Sequence, residues 1–217
     1  MATSLEEITM SENEQLKTYI DKVLGYICGD IEHLKTKNVT VSFPYLFLTF
    51  AGIDFLGGLQ HGFLRRNSRF RSVWFIATWM AKVNSRYAAN CQDERKSLGS
   101  YLYAFARSGL FHMACVQCSV NVDADEANRK LHLCYSAQNK TIVFFHAVQF
   151  AEDFIRAYNL FVNELFSNQP NVRVAIKNLE GYTSSSITQE NSFLIASLFS
   201  PWLLKQCYHT QLFQQVL

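Results

Sequence analysis

The chain has 217 residues, enough for one medium domain or a domain with a small appendage, and it needs no disulfide or metal staple to fold. Apolar residues make up 49% and charged residues 18%, with 18 Phe, 10 Tyr and 3 Trp, so a large aromatic core is expected, with surplus surface to bury against a second subunit. A net charge of +2 neither requires nor excludes nucleic acid, and the polar, acidic start from Met1 to Glu14 is unlike a secretory signal or transit peptide.

Cys28, Cys91, Cys115, Cys118, Cys134 and Cys207 are scattered, and read as reduced, mostly buried thiols. The longest apolar run, Tyr45 to Leu59, is short for a bilayer span and contains Asp54. A soluble, cytoplasmic protein without membrane contact is expected.

Ser11-x-x-Glu14 reads as a capping box. Leu16, Tyr19, Ile20, Val23, Leu24, Ile27, Ile31 and Leu34 then keep helical spacing, so the first helix is placed at about 12–34. Lys35 to Thr40 is a loop. Pro44 suits the first turn of a second helix ending near Gly58 or His61, and its near-continuous hydrophobicity makes it central. Gly57-Gly58 reads as a helix end or a close helix contact. A basic link, Arg65-Arg66-Asn67-Ser68-Arg69-Phe70-Arg71, leads into a third helix carrying Trp74, Ile76, Trp79 and Met80. After the polar loop Asn90 to Ser97, a fourth helix is expected over about 98–115.

From Ser119 the texture changes. Two apolar runs, Leu131 to Tyr135 and Thr141 to Phe145, flank the turn-rich Ser136 to Lys140 and predict a β-hairpin. Phe150, Phe154, Ala157, Tyr158, Phe161, Val162 and Leu165 predict an amphipathic helix over 150–166. Val172 to Ile176 is read as a short strand or extended connection, Gly181 to Thr188 as a loop, and Ser192 onward as a last helix broken near Pro201. The expected architecture is mainly α: one domain over 1–217, with a helical core (1–118), a small β-hairpin insertion after the fourth helix (119–148) and C-terminal helices (149–217).

The most informative segment is Arg107-Ser108-Gly109-Leu110-Phe111-His112, in the fourth helix. An Arg and a His in an otherwise apolar helix are expensive to bury without a partner or a purpose. A His moves protons near neutral pH, and an Arg stabilises negative charge on a phosphorane. The Arg-x4-His pattern of Arg107 and His112, with polar Ser108 after the Arg, resembles that of the HEPN superfamily of small helical bundles. The resemblance implies a metal-independent endoribonuclease of a bacterial defence or toxin–antitoxin system. It further implies a homodimer that pairs its motif helices, RNA as substrate and a protein partner or antitoxin. His112 is then the proton-transfer group, Arg107 the phosphate clamp and Ser108 a supporting polar contact.

Positions five apart on an ideal helix diverge by about 140°, so convergence of the pair needs the reach of the Arg or a loosening at Gly109. Against this stands a purely structural reading, in which Arg107 pairs with a buried carboxylate such as Asp54 and His112 caps the helix end or bonds a carbonyl. Asp54 itself is either an orienting partner for Arg107 or His112, or half of an ion pair between two helices. Arg65, Arg66, Arg69 and Arg71, with Phe70 and Trp74, suit a phosphate backbone and stacked bases, or else form a solvated loop. His112, Cys115 and Cys118 with His132 and Cys134 are zinc-type ligands, but a single Cys-x-x-Cys is too unspecific to assign a metal. No cofactor is expected. The alternative from another class is a non-catalytic helical module that binds a nucleotide or a protein.

Overall fold

The computed structural model describes residues 10–37, 41–91, 96–104, 120–136 and 142–186. Helix α1 (Met10–Thr36) buries Leu16, Ile20, Leu24, Ile27, Ile31 and Leu34 of the stripe its spacing predicts, leaves Val23 half-buried and Tyr19 exposed, and starts just before Ser11. Helix α2 (Ser42–His61) is buried nearly all round and packs against every other long helix of the bundle. By length and composition it passes for a membrane span. Most of it, however, lies inside the protein, as expected of a core helix.

Helix α3 (Ser68–Phe75) is capped by the Asn67 side chain, which accepts the Phe70 N–H at 2.8 Å. It runs on through a π-helical stretch (Ile76–Met80) into α4 (Ala81–Val83), so the expected third helix is present but locally unwound. Gly57 lets α2 and α3 approach closely: a Cβ there would lie 2.7 Å from the Arg71 carbonyl oxygen. This is the close helix contact that Gly57-Gly58 allowed for.

A short 3-10 turn (Ser85–Ala88) leads to β1 (Asn90–Cys91), which pairs antiparallel with β2 (Lys96–Ser97). Helix α5 (Leu98–Leu102) follows and continues as helix through Ala104; from residue 105 the expected fourth helix lies outside the described residues.

The predicted hairpin needs correcting. β5 (Ile142–His146) does pair antiparallel with a preceding strand, but β4 is only Tyr135–Ser136, because Leu131 ends a 3-10 helix (Glu126–Leu131). A third strand, β3 (Val120–Asp123), pairs parallel with β5 along its other edge, Val120 opposite Val143 through Asp123 opposite His146.

Helix α6 (Ala147–Ser167) places Phe150, Phe154, Ala157, Phe161 and Leu165 in the core, as its period requires. The extended segment expected at Val172–Ile176 and the loop expected from Gly181 are instead one helix, α7 (Gln169–Ser186). Pro170 occupies its first turn, where a missing N–H is harmless, and Val172 and Ala175 bury one face. The Asn178 side-chain amide donates to the Leu59 carbonyl and ties α7 to the end of α2.

Aromatic rings join these helices. Phe145 lies 4.5 Å from Phe150, Phe50 5.2 Å from Phe150, and Trp79 5.2 Å from Phe161, centroid to centroid.

Candidate functional site

Arg107, Ser108 and His112 lie outside the described residues, as do Cys115 and Cys118. What is described is the ground from which that segment departs. The Ser97 hydroxyl accepts the Ser100 N–H and caps α5, whose Leu98, Tyr101 and Leu102 are buried. Gly99 meets Ile76 so closely that a Cβ would stand 3.3 Å from its side chain. Helix α5 is therefore seated against the π-helical stretch.

Asp54, expected to serve Arg107 or His112 or to pair two helices, is held by Arg71. The carboxylate and guanidinium meet as two forks: Nε donates to Oδ1 at 3.1 Å and Nη2 to Oδ2 at 2.9 Å. The remaining Nη1 donates to the carbonyls of Phe63 (2.6 Å) and Arg66 (2.7 Å). Arg71 is 8% exposed, so it does not share the outward-facing position expected of the four arginines. Its side chain instead fastens the link between α2 and α3 from the inside.

Arg65, Arg66 and Arg69 are exposed, and among the described residues no carboxylate forms an ion pair with any of them. Beside them stands Phe70, 40% exposed, with the Arg66 guanidinium 4.9 Å from its ring centre. His61 supports this arrangement edge-on, 5.1 Å from Phe70 and 4.3 Å from Trp74. Burial and the charge of Arg66 lower the His61 pKa, so the ring is neutral where it packs.

A second polar cluster was not foreseen. His132, Tyr87 and Asp153 come from three separate segments and are each at least nine-tenths buried. The His146 N–H donates to His132 Nδ1 at 3.1 Å, which leaves the proton on Nε2, 2.8 Å from the Tyr87 hydroxyl. Tyr87 in turn donates to Asp153 Oδ2 at 3.0 Å. The other carboxylate oxygen accepts from Gln149 (2.8 Å) and Arg156 (2.7 Å).

Burial dominates the electrostatics of this cluster. It pushes His132 down to about 3 and raises Tyr87 well above the ordinary phenol range, with Asp153 adding to the latter. It also raises Asp153, against the pull of its three donors. Leu133, at φ 61°, turns the chain in the left-handed region just after His132, and its N–H bonds the Phe144 carbonyl at 2.8 Å. The sequence signal for this cluster was Asp153 itself, a carboxylate on the apolar face of α6 between Phe150 and Phe154.

The described members of the zinc-type set have other work. Both ring nitrogens of His132 are engaged, and Cys134 Sγ lies 3.6 Å from Arg86 Nη1. Among the described residues no three potential ligands converge on a metal position. A cleft of about 270 Å³ opens beside the sheet, lined in part by Asp123, Asn128, Leu131, Phe144 and His146. Its ionisable groups are already committed. Asp123 accepts the N–H groups of Ala124 and Asp125, and the Asp125 N–H, foremost among its partners, holds its carboxyl below the usual range. His146 Nδ1 accepts the Gln149 N–H, and its Nε2 bonds the Asp125 carbonyl. No protein-family model matches the chain, and neither a curated protein nor a solved structure shows significant similarity to it.

Proposed function

We propose that this chain is an HEPN-like RNA-binding protein that cleaves RNA without a metal ion, acting as a cytoplasmic homodimer in a defence or toxin–antitoxin setting with a protein partner. The observation that carries the reading is the Arg107-x4-His112 segment following α5 in a mainly helical bundle. The pairing of Asp54 with Arg71 supports it, because the carboxylate that most plainly rivalled phosphate for Arg107 has another cation on both oxygens.

In this reading a substrate 2′-hydroxyl attacks the adjacent phosphorus, forming the 2′-oxygen–phosphorus bond as the bond to the 5′-oxygen breaks. His112 handles the proton that leaves the 2′-hydroxyl and the one the departing 5′-oxygen needs. Arg107 faces the extra negative charge of the phosphorane, where a guanidinium donates two parallel hydrogen bonds, and Ser108 steadies the phosphate.

The test is cleavage of labelled RNA in EDTA by the parent and by His112→Ala and Arg107→Ala. Cleavage by the parent, lost in both variants, is the expected result. A folded, dimeric parent that cuts no RNA overturns the nuclease reading and leaves the non-catalytic binding module.

A further inference from the structure

Resting on the reading of this chain as an RNA-binding protein, we propose that the α2–α3 link forms a built platform for single-stranded RNA. Arg65, Arg66 and Arg69 meet successive phosphates, and the Phe70–Arg66 stack receives a base. Three observations point to it. First, three exposed guanidinium groups lie within five residues, on the link and the first turn of α3, with no carboxylate paired to any of them among the described residues. Such uncompensated charge is the electrostatic footprint of a polyanion.

Second, the link is not a loose solvated loop. The buried Arg71 side chain holds the carbonyls of Phe63 and Arg66, so the backbone carrying Arg65 and Arg66 is fixed from within. Fixing it this way consumes none of the outward charges, because Asp54 neutralises Arg71 itself.

Third, Phe70 is exposed yet held in place, its ring nearly perpendicular to that of His61 at 5.1 Å and covered by the Arg66 guanidinium. A guanidinium on an aromatic ring is a flat surface that accepts any base whose faces are free, as in a single strand but not in a duplex. An anionic membrane would also attract the arginines, but the apolar area it needs is small here. Among the described residues of the link and the first turn of α3, Leu64 and Phe70 are the exposed large apolar side chains, and Arg66 covers one face of Phe70.

The test measures binding of the full-length parent to a fluorescently labelled 2′-O-methyl oligouridylate, which has no free 2′-hydroxyl and is not cut. Anisotropy titrations over a salt series give the slope of log affinity against log salt. Each lost phosphate contact flattens that slope by about 0.7 for a single strand, so Arg65→Gln/Arg66→Gln/Arg69→Gln should flatten it by about 2. Phe70→Ala should weaken binding by about fivefold or more at fixed salt, through lost stacking, with the slope nearly unchanged. The three arginine side chains are exposed, so the triple variant should match the parent in circular dichroism and melting; Phe70→Ala gives up its contact with His61 and is titrated at a temperature where circular dichroism shows it folded.

A triple variant that keeps the parental slope overturns the platform. So does binding to phosphatidylserine vesicles with none to the oligonucleotide. Cleavage and this platform fail separately: RNA bound here but never cut refutes only the nuclease, whereas RNA cut by a parent whose salt slope ignores the arginines refutes only the platform.

Discussion

Replacing Asp54 with Asn tests whether the fork between α2 and α3 holds the basic link in place. The substitution keeps the side chain's shape and one acceptor, but turns a donating NH2 toward a guanidinium N–H that now has an acceptor 2.9 Å away. A hydrogen bond to a charged group contributes about 1.5–3 kcal/mol, and breaking a buried ion pair by removing one partner costs about 3–5 kcal/mol. Asp54's side chain is 26% exposed and Arg71's 10%, so water relieves part of the penalty, and about 2–3 kcal/mol is expected. For a chain of this length that corresponds to a melting point lower by roughly 5–10 °C.

Urea unfolding should show a lower midpoint with an unchanged slope, the sign of lost stability rather than an altered unfolded state. Because Arg71 also holds the Phe63 and Arg66 carbonyls, trypsin should cut after Arg65 and Arg66 faster in the variant under native conditions. The double variant Asp54→Asn/Arg71→Gln should lose less than the sum of the single changes. A single Asp54→Asn variant within about 0.5 kcal/mol of the parent, with unchanged tryptic cutting, would mean that the fork does not hold the link.

Two further outcomes follow from the core. The unfolded chain takes up the His132 proton near 6.5, whereas the folded protein resists it down to about 3. Over that interval the unfolded state binds more protons, so stability falls as pH drops, by at most about 1.4 kcal/mol per pH unit. His61, also lowered, acts in the same direction, whereas the raised Asp153 binds its proton more readily when folded and opposes the loss as it titrates. The difference in unfolding free energy between about pH 6.5 and 5 should therefore shrink in His132→Gln; a variant with the full parental difference would contradict the buried neutral ring.

The other outcome contrasts two helix glycines. Gly57→Ala places a Cβ 2.7 Å from the Arg71 carbonyl oxygen and should destabilise by about 1–3 kcal/mol, despite the better helix propensity of Ala. Gly29→Ala meets nothing within 4 Å and should stabilise by up to about 1 kcal/mol, both measured by urea unfolding.

The legible parts of the fold were those whose burial follows a local period. Helices α1 and α6 present one apolar stripe each, and α2, apolar all round, had to be central. Helix α7 is hard to read from sequence because Val172 and Val174 favour a strand until tertiary packing decides, and because Pro170, harmless in the first turn of a helix, gives no positive sign of one. Strand β3 does alternate, Val120 and Val122 with Asn121 and Asp123, but four residues inside a polar stretch are a weak signal, and its pairing with β5 is what reveals it.

Asp54 was singled out because a carboxylate amid apolar residues needs a partner, and which cation fills that role is a question of three-dimensional packing. Arg71 lies 17 residues away, and Tyr87 lies 45 from His132 and 66 from Asp153. Such pairings are set by how helices pack. No local spacing records them.

The central claim, metal-independent cleavage by the Arg107–His112 segment, is tested most directly by the ends of the RNA fragments produced in EDTA. Attack by the 2′-hydroxyl leaves a 2′,3′-cyclic phosphate on one fragment and a 5′-hydroxyl on the other. The parent protein should leave these ends, His112→Ala should give no fragments, and no cut should fall at a nucleotide carrying a 2′-deoxy sugar. Fragments bearing 5′-phosphates, or cleavage undiminished in His112→Ala, would contradict the claim.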